Sequence, residues 1–200
     1  TIEKLNDFRL KLISFVNNKK LLRENYFKLG NKYLESIVGN ELAMQTKINL
    51  SIQLPKDESS LLPLHSDTWS GDSPFEVVAW LPLVDCYNTK SMYILPPRDA
   101  EELNETFHKY SSKDADILFD SIKNKVEFLK IKFGEILIFN QNLPHGNIVN
   151  LETETRWSMN CRFKSIFSPY GDKKLGEFFQ PITLKIASKI GMEYEFPKLK

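Results

Sequence analysis

The stretch Leu61-Leu62-Pro63-Leu64-His65-Ser66-Asp67-Thr68-Trp69 decides how this chain is read. His65 and Asp67 are two residues apart, and in extended backbone residues i and i+2 point to one side. A short segment therefore offers an imidazole and a carboxylate to a single point in space. A second imidazole, His145, comes far downstream in Asn142-Leu143-Pro144-His145-Gly146-Asn147. The set His-x-Asp…His has the composition of the facial triad that holds non-haem Fe(II) and leaves positions open for exogenous ligands. His108, the remaining histidine, falls in a charged helical segment and reads as a surface residue.

Composition sets the frame. Two hundred residues fit one domain, 1–200, with room for a full core. Lys+Arg number 27 against 26 Asp+Glu, a net charge of +1. That balance argues against a broad nucleic-acid or anionic-membrane footprint. No apolar run approaches the roughly 20 residues of a membrane span. The start, Thr1-Ile2-Glu3-Lys4-Leu5, carries no signal-peptide pattern. Cys86 and Cys161, the only cysteines, read as free thiols in a reducing compartment, so a cytoplasmic protein is expected.

Outward from the site segment, hydrophobic periodicity divides the chain. Residues 1–39 read as two helices: Leu5, Phe8, Leu12 and Phe15 form one stripe, and Leu22, Tyr26, Leu29, Tyr33 and Ile37 another, with a break at 17–20 and a stop at Gly39. Residues 42–54 alternate polar and apolar as one strand. The site strand is expected at 61–67. Phe75 to Val84 is a near-continuous apolar run suited to a strand buried on both faces, and Ser91 to Leu95 is a further short strand. Residues 98–127 form a charged helical insertion, placed to cover one mouth of a barrel as a lid. Strands are expected again at 129–133, 136–139, 148–149 and 157–163, and a last helix over 182–190 capped by Gly191. The predicted fold is mainly β with flanking helices: a small antiparallel barrel or jelly roll over 42–165, with a loop and helix over 166–200.

A third feature lies eleven residues past His145, in Arg156-Trp157-Ser158. Residues 151–155 look like a turn, so a hairpin there returns Arg156 alongside the His145 segment. Arginine grips a carboxylate with two parallel hydrogen bonds, and a hydroxyl two residues on shares the same strand face. A dicarboxylate that chelates iron at one end, such as 2-oxoglutarate, fits this placement. The competing reading is a surface Arg156 paired with Glu152 or Glu154, an arrangement worth only ~0–1 kcal/mol.

The series His65-x-Asp67…His145-x10-Arg156-x-Ser158 resembles the Fe(II)/2-oxoglutarate-dependent oxygenases. Asn88 to Pro96 (NTKSMYILP) and Phe133 to Gly146 (FGEILIFNQNLPHG) are similar to segments of the phytanoyl-CoA-dioxygenase-like branch. Leu61 to Trp69 most resembles the members found in bacterial carbohydrate and aminoglycoside biosynthesis clusters. The likeness covers about residues 42–165. It implies a double-stranded β-helix (cupin-like), iron on His65, Asp67 and His145, and 2-oxoglutarate on Arg156 and Ser158, with Asn147 and Gln53 as further cosubstrate contacts. It also implies consumption of O2, oxidative decarboxylation of 2-oxoglutarate to succinate and CO2, and oxidation of a small-molecule C–H bond. An Asp at position 67 favours hydroxylation, desaturation, epimerisation or ring closure over halogenation. The chain departs from the branch after its middle strand, where Pro96-Pro97-Arg98-Asp99 replaces Pro-Gly-Ser-His.

Two other classes fit parts of the pattern. A cupin-like isomerase or hydrolase needs the His and Asp set but not Arg-x-Ser. A non-catalytic carbohydrate-binding jelly roll needs neither. Trp69, Trp80 and Trp157 lie near the site segments, and aromatic side chains fill cores more often than they stack on sugars.

Overall fold

The computed structural model describes residues 2–110 and 114–198. Three helices come first: α1 (Ile2–Asn17), α2 (Leu22–Lys28) and α3 (Asn31–Val38). Nine strands follow among the described residues: β1 (Leu42–Gln45), β2 (Asn49–Gln53), β3 (Glu76–Pro82), β4 (Tyr93–Ile94), β5 (Glu127–Phe128), β6 (Leu137–Asn140), β7 (His145–Gly146), β8 (Arg156–Ser165) and β9 (Phe179–Pro181). Helices α4 (Pro97–Thr106) and α5 (Ala115–Ile122) lie between β4 and β5, and α6 (Ile186–Glu193) closes the chain. None of the described helices is long and apolar enough to cross a membrane.

The strands form two antiparallel sheets with flanking helices, consistent with a cupin-like fold. The larger sheet runs β6-β3-β8-β1-β9, with β2 also paired to β8; the smaller runs β5-β4-β7. Strand β8 explains why the larger sheet sits as it does. Its residues Trp157, Met159, Cys161 and Phe163 alternate with Arg156, Ser158, Asn160, Arg162 and Lys164. Of the apolar set, Met159, Cys161 and Phe163 pack with Leu42, Met44 and Ala79 against Tyr26, Phe27 and Leu34 of α2 and α3. Of the polar set, Arg156, Ser158, Asn160 and Arg162 line a cavity between the sheets, whereas Lys164 donates to Pro169 O of the C-terminal loop. Behind the smaller sheet, Tyr93 and Leu95 pack on Leu103, Leu118 and Ile122 of the helical insertion. Between the sheets, Val78, Trp80 and Phe139 meet Met92 and Ile94 in a compact apolar cluster.

Several expected elements differ. The strand at 42–54 is broken at 46–48, because the Asn17 side chain takes the place of a neighbouring strand: its Nδ2 donates to Ile48 O (2.9 Å) and its Oδ1 accepts from Ile48 N–H (2.8 Å). The second N-terminal helix is split at Gly30, which shifts its phase. Phe27 and Leu34 turn inward, leaving Leu29, Tyr33 and Ile37 exposed. On α1 the half-buried face is Arg9, Leu12, Ile13 and Val16, while Phe8 and Phe15 are exposed; the Leu5 side chain lies outside the described residues. The last helix starts at Ile186, because Ile182 N–H donates to Leu42 O and the chain before it is an edge strand on β1. Residues 148–149 form no strand, and of 129–133 only Ile131 makes a bridge, to Cys86. Both cysteines are buried and unpaired, and burial pushes the Cys86 thiol up to about 11 and Cys161 up to about 12.

Candidate metal centre and carboxylate pocket

Residues 61–67 make no regular strand; His65 forms a single bridge and Asp67 already begins a 3-10 turn. One antiparallel bridge joins His65 to His145 through two backbone hydrogen bonds, His65 N–H to His145 O (3.0 Å) and His145 N–H to His65 O (2.8 Å). Directly opposed residues of such a pair project on the same face, which sets the imidazoles side by side with ring centroids 4.3 Å apart. Ser66 is extended (φ −118°, ψ 137°), so Asp67, the first residue of a short 3-10 turn, returns to the side of His65. Ser66 is held from behind by its hydroxyl on Gln141 O and Asn142 O. Gly146 permits the close approach behind His145. A Cβ there would lie 2.5 Å from the Tyr93 hydroxyl and 2.8 Å from Leu62 O.

The two imidazoles are oriented in the same way. His65 Nδ1 lies 2.8 Å from Pro63 O, and His145 Nδ1 lies 2.8 Å from Leu143 O. A carbonyl only accepts, so each Nδ1 carries the proton and each Nε2 keeps its lone pair, the arrangement a metal-binding histidine needs. Burial, reinforced by the neighbouring His65, pulls the His145 imidazole down to about 4, so it is neutral near pH 7. The donor atoms of His65, Asp67 and His145 lie within 4.8 Å of one another, and among the described residues this is the one such group of three. Donors each about 2 Å from one ion and at right angles to one another lie about 3 Å apart, so the three side chains draw together by up to about 2 Å to share a cation. The residues fit a divalent metal with open positions.

The set faces a cavity of about 530 Å³ between the sheets. Arg156 and Ser158 line its larger-sheet wall. Arg156 is 4% exposed, and burial pulls its guanidinium down to about 10, which leaves it charged near pH 7. Its Nη2 donates to Ser51 Oγ (3.2 Å), while its Nε and the Ser158 hydroxyl are buried without a partner. No carboxylate of the described residues pairs with it. The alternative partners are engaged elsewhere: Glu154 with buried Lys90, and Glu152 with Thr89 Oγ1. A buried cation with unmet donors in a cavity fits a carboxylate ligand.

Two expected contacts stand differently. Gln53 lies opposite Arg156 on β2 but does not line the cavity, and its Nε2 donates to Ile148 O (2.6 Å). Asn147 lines the cavity, yet both ends of its amide are engaged: Oδ1 accepts from Leu62 N–H (2.6 Å) and Nδ2 donates to Ser60 O (3.2 Å). It fastens residues 60–62 to the His145 segment rather than presenting a free contact. Of the tryptophans, Trp80 lines the cavity, whereas Trp69 stacks on Phe107 of the insertion.

Sequence reasoning missed Arg9, Asn49, Asn160 and Arg162, all of which line the cavity. Arg162 Nη2 lies 2.8 Å from Asp67 Oδ1. The signal for Arg162 and Asn160 was present in β8, whose polar residues continue at every second position beyond Ser158. Arg9 comes from α1, where Nη2 donates to Ile52 O (2.7 Å) and the guanidinium approaches Asp57 (3.6 Å).

No protein-family model matches the chain, and no curated protein does. Solved structures do share its fold. The non-haem monooxygenase ThoJ, in its apo form, superposes with a TM-score of 0.60 at 14% identity, covering 90% of this chain and 73% of that one. HygX from Streptomyces hygroscopicus with iron bound gives 0.57 at 13% identity, with coverage of 88% and 82%. The epimerase SnoN, in complex with Fe3+, alpha-ketoglutarate and nogalamycin RO, gives 0.51 at 16% identity, with coverage of 74% and 60%.

Proposed function

We propose that this chain is a cytoplasmic Fe(II)- and 2-oxoglutarate-dependent dioxygenase with a double-stranded β-helix core, of the phytanoyl-CoA-dioxygenase-like branch. His65, Asp67 and His145 hold the iron, and Arg156 with Ser158 holds the far carboxylate of 2-oxoglutarate. The observation that carries this reading is the buried Arg156, whose Nε has no partner, on the cavity wall beside an unpartnered Ser158 hydroxyl. A metalloenzyme that does not use a dicarboxylate would leave that cation without an anion. Structural neighbours described as iron-bound, or bound to Fe3+ with alpha-ketoglutarate, support the same choice.

Iron with 2-oxoglutarate supplies the activation of O2 needed to oxidise a C–H bond. The chain's own residues do the rest. The carbonyls of Pro63 and Leu143 hold the protons on Nδ1 and keep both Nε2 atoms free for the ion. Arg156 fixes the plane of the distal carboxylate, which a lysine would not. Val78, Trp80, Met92 and Phe139 line the cavity with apolar surface that limits water. Asn49 and Asn160, joined by a 2.9 Å hydrogen bond, put amides on the same lining as the Trp80 ring. Amides beside an indole suit a small hydroxyl-rich substrate such as a sugar or sugar conjugate.

The test is spectroscopic. Anaerobic protein with Fe(II) and 2-oxoglutarate should show a weak visible charge-transfer band. Arg156→Lys should weaken apparent 2-oxoglutarate affinity by about thirtyfold or more, as loss of a buried hydrogen-bonded charge pair costs ~2 kcal/mol or more, with iron content unchanged. Zinc bound in place of iron, with no band, would count against the proposal.

A further inference from the structure

We propose that Arg162 is a positioning residue for Asp67, part of an alternating chain Asp67–Arg162–Asp72–Lys173 that fixes one oxygen of the Asp67 carboxylate toward the metal. This rests on the metal reading above and adds a residue to it. Arg162 sits on β8 opposite Val78, six residues beyond Arg156 and so about 20 Å along the strand. Its fork is divided between two carboxylates: Nη2 lies 2.8 Å from Asp67 Oδ1, and Nη1 lies 2.9 Å from Asp72 Oδ2. Asp72, its side chain 3% exposed, also accepts from Lys173 Nζ at 2.5 Å. The chain runs −, +, −, + from the metal side outward.

The covalent frame supports the same arrangement. Asp67 is the first residue of a 3-10 turn that is capped by Gly71, left-handed with φ +87°, and Asp72 follows directly. That turn is fastened to the C-terminal loop by Asp172 N–H to Gly71 O (3.0 Å) and Ser73 Oγ to Pro169 O. Gly171 lies so close beneath it that a Cβ would meet Gly71 O at 2.3 Å. Arg162 therefore has its two acceptors presented by one rigid turn.

The chemistry explains why an arginine stands there. A free carboxylate can rotate and offer a metal either one oxygen or two. Two would take a position that the facial arrangement keeps open for cosubstrate and O2. A planar guanidinium with two separated N–H groups bridges two carboxylates and fixes the Asp67 plane, whereas an ammonium is a point donor. Asp72 offsets the positive charge that Arg162 would otherwise present to a neighbouring cation. Lys173, in turn, offsets Asp72.

Co(II) titration of the metal-free protein, followed by its visible d–d bands, tests this without turnover. Wild type should bind one Co(II). Arg162→Gln should bind it about 10–100-fold more weakly, the usual effect of losing a group that orients a metal ligand. Its d–d intensity should also change as Asp67 gains freedom. The thermal midpoint of each metal-free variant is measured alongside. If Arg162→Gln lowers that midpoint but keeps wild-type Co(II) affinity and spectrum, Arg162 is a structural ion pair and the proposal fails. If Arg162→Gln does not fold, Arg162→Lys decides. It keeps the charge without the fork, so weakened binding supports the proposal and unchanged binding overturns it. A wild type that binds no Co(II) overturns the metal reading itself, an outcome distinct from the others.

Discussion

His145 is the residue whose environment makes the sharpest demand. Its imidazole is buried and held neutral, with burial as the main cause and His65 as the second. In the unfolded chain the same group titrates near 6.5. Between those values the unfolded state binds more protons, so stability rises with pH there. The contribution is therefore complete above about pH 6.5 and is lost as pH falls toward 4. Denaturant titration of the metal-free protein should give roughly 2 kcal/mol less stability at pH 5 than at pH 7.5 from this group. The His145→Gln variant should lack that component, and an identical pH profile in both proteins would refute the assignment. At this scale the candidate metal set could be read early. His65 and Asp67 need only extended backbone to share a face, and Ser66 provides it. Arg162 could not be paired in advance, because its acceptors are chosen by a turn whose path no periodicity describes. Asn147 lines the cavity as expected of a polar contact there, and its amide is engaged by backbone groups of residues 60 and 62, ties that no sequence pattern announces.

Elements, rather than residues, decide which of these side chains meet. Strand β8 carries a core face and a polar face along ten residues, and that alternation stood in plain view in the sequence. The division of 42–54 into β1 and β2 did not, because Asn17 from another element caps Ile48 on both its backbone groups. A similar side-chain-to-backbone tie governs the segment before His65. Asn147 holds Leu62 N–H and Ser60 O, while its own N–H donates to Leu62 O (3.0 Å). Asn147→Ala removes two part-buried hydrogen bonds to backbone, from Leu62 N–H and to Ser60 O, each worth about 1 kcal/mol. Urea unfolding should register that loss, and amide exchange at Leu62 should quicken. Apparent 2-oxoglutarate affinity should change little in the folded variant. A large drop in that affinity at unchanged stability would instead make Asn147 a direct cosubstrate contact.

At the scale of the whole molecule, the order of layers assigns the helices their tasks. Helices α2 and α3 cover the outer face of the larger sheet, α4 and α5 cover the outer face of the smaller, and the cavity lies between. Length and charge had suggested a lid at 98–127, but among the described residues none of that insertion lines the cavity. Sequence patterns reported that a helical insertion exists; they could not report which side of the sheet it covers. The side is set by where Leu103, Leu118 and Ile122 find apolar surface, and that surface is the back of Tyr93 and Leu95. The cavity is bordered instead by Arg9 of α1 and residues 60–62. The two arrangements predict opposite phenotypes. Leu103 is buried against Leu95 and Ala100, so Leu103→Ala should cost ~2–5 kcal/mol of stability. Metal and 2-oxoglutarate affinities of the protein that remains folded should stay within about twofold, because the mutated layer is separated from the cavity by a sheet. A lid residue would behave the other way, with stability preserved and ligand exchange accelerated. Measuring the denaturation midpoint and ligand dissociation rate on the same variant distinguishes the two.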